Sequence, residues 1–112
     1  MDFNIEETGA IKIVRLSDAR LDTTLAPDLK TKLLGLAEAD EPQILIDLKE
    51  VEYADSSGLG AILFGIRRAR DNGGSCKLVN LNNRVLSLIR IAKLDHVIEA
   101  FDDEAEALKS FS

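Results

Sequence analysis

The chain has 112 residues, 46% of them hydrophobic, and a formal net charge of −6. That length suits one domain with one core, and the apolar content argues against wholesale disorder. The negative balance argues against the basic footprint that nucleic-acid binding requires and against docking on an anionic membrane, while a single cysteine (Cys76) excludes an internal disulfide and, with a single histidine (His96), leaves a zinc site needing mostly carboxylates. The start, MDFNIEETGA, is acidic and lacks the basic and apolar regions of a signal peptide. No apolar run approaches the roughly 20 residues that span a bilayer. A soluble protein of a reducing compartment, the cytoplasm, is expected.

In chain order, FNIEE and IKIVRL around the turn TGA predict a hairpin of two strands. A polar connection, SDARLDTTLAP, leads into a helix from Leu25 to about Ala39, with Leu29, Leu33 and Leu36 on one face. Pro27 is tolerated in its first turn, and Thr23 or Thr24 is placed to cap it. ILIDL (44–48) is a near-continuous apolar run, the pattern of a strand covered on both faces. A second helix is expected from Ser57 to Asp71, with Leu59, Ile62, Leu63 and Ile66 as its core stripe and DNGG as its stop. SCKLVNL reads as a strand. NNRVLSLIRIAKL reads as a third helix with Val85, Leu88, Ile89 and Ala92 inward. HVIEAF holds a short last strand, and DDEAEALKSF a short acidic helix capped by Asp102 or Asp103, its outside a solvated surface. The order β-β-α-β-α-β-α-β-α predicts an α/β domain over residues 1–112, a mixed sheet of four to five strands with four helices.

The stretch YADSSGLGAIL carries the chemistry. Asp55, Ser56, Ser57, Gly58 and Gly60 stand directly before an apolar helical run. An Asp or Ser there can cap the helix, and glycine allows close packing. A phosphate-binding loop is a second reading, but no Lys-Ser/Thr pair follows and the dinucleotide spacing is missing. A hydrolytic serine is a third. DSSGLG lacks the first glycine of a nucleophile elbow, and nothing places His96, the sole imidazole, near Ser56. Covalent phosphate is a fourth: a hydroxyl in the first turn sits where N–H groups point outward and the helix dipole is positive. Ser57, Ala61, Phe64 and Arg68 fall opposite the core stripe. Phe64 is then either an exposed docking residue or covered by a neighbouring loop.

YADSSGLGAIL between a buried strand and an amphipathic helix resembles the signature of the STAS domain, and the small bacterial anti-sigma factor antagonists in particular. The likeness spans the hairpin, the RLD turn, the DSSGLG junction, the KLVNL strand and the acidic last helix. What it implies is a non-enzymatic partner switch with no cofactor and no metal. The partner is an anti-sigma factor that is often itself a serine kinase, and a serine phosphatase resets the switch. The resemblance makes Ser56 the phosphoacceptor, Asp55 the neighbouring acid and Ser57 the secondary hydroxyl. Gly58 and Gly60 allow close approach, and Asp22 is the acid of a loop near the same surface. A monomer or weak dimer is expected. Two positions depart from the family pattern. Ala19-Arg20-Leu21-Asp22 stands where Gly-Glu-Leu-Asp is common, and Lys93 replaces the glycine of a Ser-Gly-Leu or Thr-Gly-Leu after the third helix. The same fold also serves as a small subunit docking on the ATPase of lipid-transport complexes, a second implied role.

Overall fold

Gln43–Asp47 (β4), a near-continuous apolar run, and Ser75–Val79 (β6), which buries Lys77 among its apolar residues, form the centre of the sheet in the computed structural model, which describes residues 3–111. Strands buried on both faces need such runs. β2 (Ile11–Leu16) and β1 (Phe3–Thr8) extend one side and β7 (Ala100–Phe101) the other, giving the order β1-β2-β4-β6-β7. β1 and β2 are antiparallel, joined through Gly9; the other pairings are parallel. The mixed five-stranded sheet with four helices is the expected class.

One face of the sheet carries the larger core. Val14, Ile44, Ile46 and Leu78 meet Leu29 and Leu33 of α1 (Ala26–Ala37), Ile62 and Ile66 of α2 (Ser56–Asp71), and Val85 and Ile89 of α3 (Asn83–Ile91). The other face presents Ile11, Ile13, Leu45 and Val79 to Ala107 of α4 (Glu104–Lys109), with Leu108 and Phe111 packed alongside. The last helix is therefore a structural cover as well as the solvated acidic surface expected. Cations from the sheet hold it at both ends. Arg15 Nη1 donates to Asp47 Oδ2 and to Glu104 Oε1, each at 2.7 Å. The buried Lys77 donates through Nζ to the Ser110 carbonyl (2.9 Å) and lies 4.7 Å over the Phe111 ring. Burial would push the Asp47 carboxyl up, but the Asn80 amide, the Lys49 N–H and Arg15 together hold it below the usual carboxylate range. That contribution to stability is present above the unfolded carboxylate pKa and is lost as pH falls through the folded one.

The structure adds two elements to the expected order. Arg20–Leu21 (β3) and Tyr53–Ala54 (β5) are two-residue strands that pair with each other in parallel, apart from the main sheet. Three details also differ. No threonine caps α1; Asp22 organises that entry instead, its carbonyl accepting the N–H groups of Leu25 (3.2 Å) and Ala26 (2.8 Å). Ala92 is exposed, because α3 ends at Ile91. Leu63 is only half-buried. Of the two aspartates expected to cap the last helix, Asp103 does so, accepting the Glu106 N–H at 3.2 Å.

Two helix ends share one geometry. After α2, the Gly74 N–H donates to the Ala69 carbonyl and the Gly73 N–H to Arg70, with Gly73 at φ +83°. After α3, Leu94 donates to Ile89 and Lys93 to Arg90, with Lys93 at φ +60°. This is the 6→1 and 5→2 pattern that favours glycine at the left-handed position. The second end carries a side chain where the left-handed region costs roughly 1–2 kcal/mol. Lys93→Gly should therefore stabilise the protein by about 1 kcal/mol, raising Tm by about 4–8 °C in thermal denaturation. An unchanged or lower Tm would mean that the lysine side chain contributes more than its backbone costs.

Candidate functional site

The β3–β5 ladder creates the site. Arg20 pairs with Tyr53 and Leu21 with Ala54, so the chain leaves both strands side by side at Asp22 and Asp55. The Leu21 carbonyl accepts the Asp55 N–H at 3.1 Å. Asp55 is the N-cap of α2, its Oδ1 accepting the Gly58 N–H at 3.0 Å, which answers one of the unpaired donors of the first turn. Asp22 is fixed in turn: Oδ1 accepts the Thr24 N–H at 3.0 Å and Oδ2 meets Arg20 Nε at 3.3 Å. The Thr24 N–H, opposed by partial desolvation and aided by Arg20, holds the Asp22 carboxyl below its ordinary range. The Arg20 guanidinium also lies 4.7 Å over the Tyr53 ring. The arginine that departs from the family pattern thus neutralises Asp22 and stacks on the strand that leads into the serines.

Ser56 is the first residue of α2 and is exposed. Ser57 follows it, half-buried. The two hydroxyl-bearing residues open onto different grooves. Ser56 lines a groove of about 710 Å³ shared with Tyr53, Arg84, Leu88 and Ile91. Ser57 and Gly60 line a smaller one, about 410 Å³, against Pro27 and Lys30 of α1. Of the α3 residues in the first groove, Leu88 is expected inward but is only half-buried, and Arg84 and Ile91 carry no expectation from the sequence. Ile91 is 78% exposed, the one large exposed hydrophobic among the described residues. Its place off the Val85–Ile89 core stripe was the available signal.

The structure separates the two glycines. A Cβ on Gly58 would stand 2.2 Å from the Leu21 carbonyl oxygen, so the backbone of α2 touches β3 only because this residue has none. A Cβ on Gly60 would meet nothing within 4 Å, so its expected role in close packing inside the fold is not there. Phe64 is half-buried, with Lys30 Nζ 4.8 Å over its ring. The contact over its ring comes from Lys30 of α1 and not from a loop, and part of the ring stays exposed. Ala61 is buried too, and a Cβ on Gly65 would press on Leu33 Cδ1 at 2.6 Å. The face taken as opposite the core is the α1–α2 contact.

The other candidate chemistries find little support in the geometry. His96 is exposed after α3 and lines neither groove beside the serines. Cys76 is buried and its thiol is pushed up to about 12 by desolvation, the state of an inert side chain. Among the described residues no cluster of His, Cys, Asp or Glu is arranged to hold a metal, and no helix is long and apolar enough to cross a membrane.

Gly58 and Gly60 are two residues apart on one helix, which makes a controlled comparison. Gly58→Ala should lose about 1–3 kcal/mol, the range for overpacking a closed contact, and should disturb the β3–β5 pairing. Gly60→Ala should be neutral or gain roughly 0.5–1 kcal/mol, as expected for alanine in a helix. Urea denaturation of both proteins checks the pair; equal stabilities would contradict the Leu21 contact.

The STAS domain model matches residues 2–107. The anti-sigma-B factor antagonist of Bacillus subtilis is 39% identical over 79 residues, covering 70% of this chain and 72% of that protein. An anti-sigma-factor antagonist STAS domain protein from Planctomyces limnophilus superposes with a TM-score of 0.89 at 20% identity, covering 99% of this chain and 98% of that one. An anti-sigma factor antagonist from Mycobacterium paratuberculosis does so at 0.83 and 23%, covering 98% and 92%. The two structures share the fold and the Bacillus protein a substantial part of the sequence. With the DSSGLG junction seated at the tip of α2 and held by β3 and β5, the chain belongs to the STAS domain family, among relatives that are anti-sigma factor antagonists.

Proposed function

We propose that this protein is an anti-sigma factor antagonist and works as a non-enzymatic partner switch in the cytoplasm, with residues 1–112 acting as one STAS unit. Unmodified, it docks on an anti-sigma factor through the tip of α2 and the Asp22 loop, and so releases a sigma factor. The anti-sigma factor, as a serine kinase, transfers the γ-phosphoryl group of ATP to Ser56. The Oγ–P bond forms, the bond to ADP breaks and the hydroxyl proton leaves. A serine phosphatase hydrolyses the ester and resets the switch. The observation that carries this reading is the placement of Ser56, exposed in the first turn of α2 beside a capping Asp55 whose own hydrogen bond is already made.

Magnitudes explain why modification there should change binding and not folding. A phosphate adds about −1.5 to −2 charge at neutral pH. Near a helix N-terminus it gains roughly 0.3–1 kcal/mol, so the fold tolerates it. At a docked surface, like-charge juxtaposition costs several kcal/mol, and each ~1.4 kcal/mol is tenfold in affinity. The interface effect dominates.

Ser56→Glu should therefore weaken binding to the anti-sigma kinase at least tenfold by calorimetry while leaving Tm nearly unchanged. Ser56→Ala should still bind but take up no phosphate when incubated with that kinase and ATP, read by mass spectrometry. Normal binding by Ser56→Glu would put the gate elsewhere, and undiminished incorporation into Ser56→Ala would move the acceptor to Ser57.

A further inference from the structure

We propose that Arg84 is the intramolecular partner of a phosphate on Ser56, so that modification folds the arginine down across the groove between α2 and α3. The inference rests on Ser56 being the modified residue. The start of α3 is fixed beside the strand that leads into Ser56. Asn82 caps α3 by accepting the Val85 N–H at 2.8 Å, and its Nδ2 donates to the carbonyls of Val51 and Glu52, each at 3.2 Å. One side chain thus ties the first turn of α3 to the segment running into β5. Arg84, in that turn, and Ser56 then line the same groove.

Among the described residues two charged ones line it, Asp55 and Arg84, with Tyr53 the remaining titratable group. Asp55 is turned into its own helix by the bond to Gly58. Arg84 is exposed and makes no hydrogen bond or ion pair among the described residues. Nothing has to be broken for it to reach a new anion, and a guanidinium offers paired N–H donors that match a phosphate. Ser57 has a different neighbour. Its groove contains Lys30, which is already stacked on Phe64. A phosphate on Ser56 meets an uncommitted cation and one on Ser57 does not. Arg84 is here a positioning residue. Drawn to the phosphate, it leaves the docking groove rearranged as well as negatively charged.

The test installs phosphoserine at position 56 of the full chain by genetic code expansion, so no kinase is needed and failure here is separable from failure of the proposed switch. The phosphate is titrated by 31P NMR in the parent, Arg84→Gln and Arg84→Lys proteins. An adjacent cation favours the dianion, so the second phosphate pKa should be roughly half to one unit lower in the parent than in Arg84→Gln. Arg84→Lys should recover part of the difference, since lysine supplies the charge without the fork. The Arg84 Nε–H resonance should also shift on phosphorylation. Equal phosphate pKa values in the parent and Arg84→Gln proteins, or an Arg84 Nε resonance unmoved by phosphorylation, would overturn the proposal.

Discussion

No side chain fits between the first turn of α2 and the carbonyl of Leu21. That single approach, with the Leu21 oxygen accepting the Asp55 N–H at 3.1 Å and lying 2.2 Å from where a Cβ of residue 58 would stand, fixes the site. It seats the helix tip against β3, brings the Asp22 loop beside Asp55, and leaves Ser56 outside the contact. Were α2 to sit farther out, the β3–β5 ladder would lose its end bond and the two acids would separate. The exposed hydroxyl is thus a consequence of tight packing on the opposite side of the same turn.

The surroundings of the tip are rigid for ordinary reasons. Asp22 and Asp55 each spend carboxylate oxygens on backbone N–H groups, Thr24 and Gly58 respectively. Asn82 ties α3 to the run into β5. The core beneath, Ile44, Ile46, Ile62 and Leu78, is fully buried and does not depend on the serines. On the far face of the sheet, α4 is held by Arg15 and Lys77, remote in sequence from the junction. Chemistry at the tip can therefore change what the surface attracts without reaching what holds the fold together. That division, a committed scaffold with an uncommitted hydroxyl, is what a switch by modification requires.

Much of this was legible from residues. The buried run ILIDL became β4, the Leu59–Ile62–Ile66 stripe faces the core, and Asp55 stands as the cap of α2. What escaped did so for physical reasons. β3 and β5 are two residues each, too short for any periodicity, and exist because each finds the other across more than thirty residues of chain. A single apolar stripe leaves Phe64 open between exposure and cover by a loop; it is half-buried beside Lys30 because α2 packs on both the sheet and α1. Ser57, Ala61, Gly65 and Ala69, four small residues at spacings of four, were the sign of a close helix–helix approach. The groove with α3 could not be read because it joins residues from two elements that sequence alone does not place side by side. Lys93 was legible as a departure from glycine, but its cost became visible only with the left-handed backbone at that position.

The central claim is that phosphate at Ser56 alters a surface and spares a fold. Amide hydrogen exchange of the phosphorylated and unmodified proteins, followed residue by residue, addresses it directly. The account predicts unchanged protection in β4 and β6, with differences confined to the start of α2, the β3–β5 ladder and the first turn of α3. Loss of protection in the central strands would contradict it.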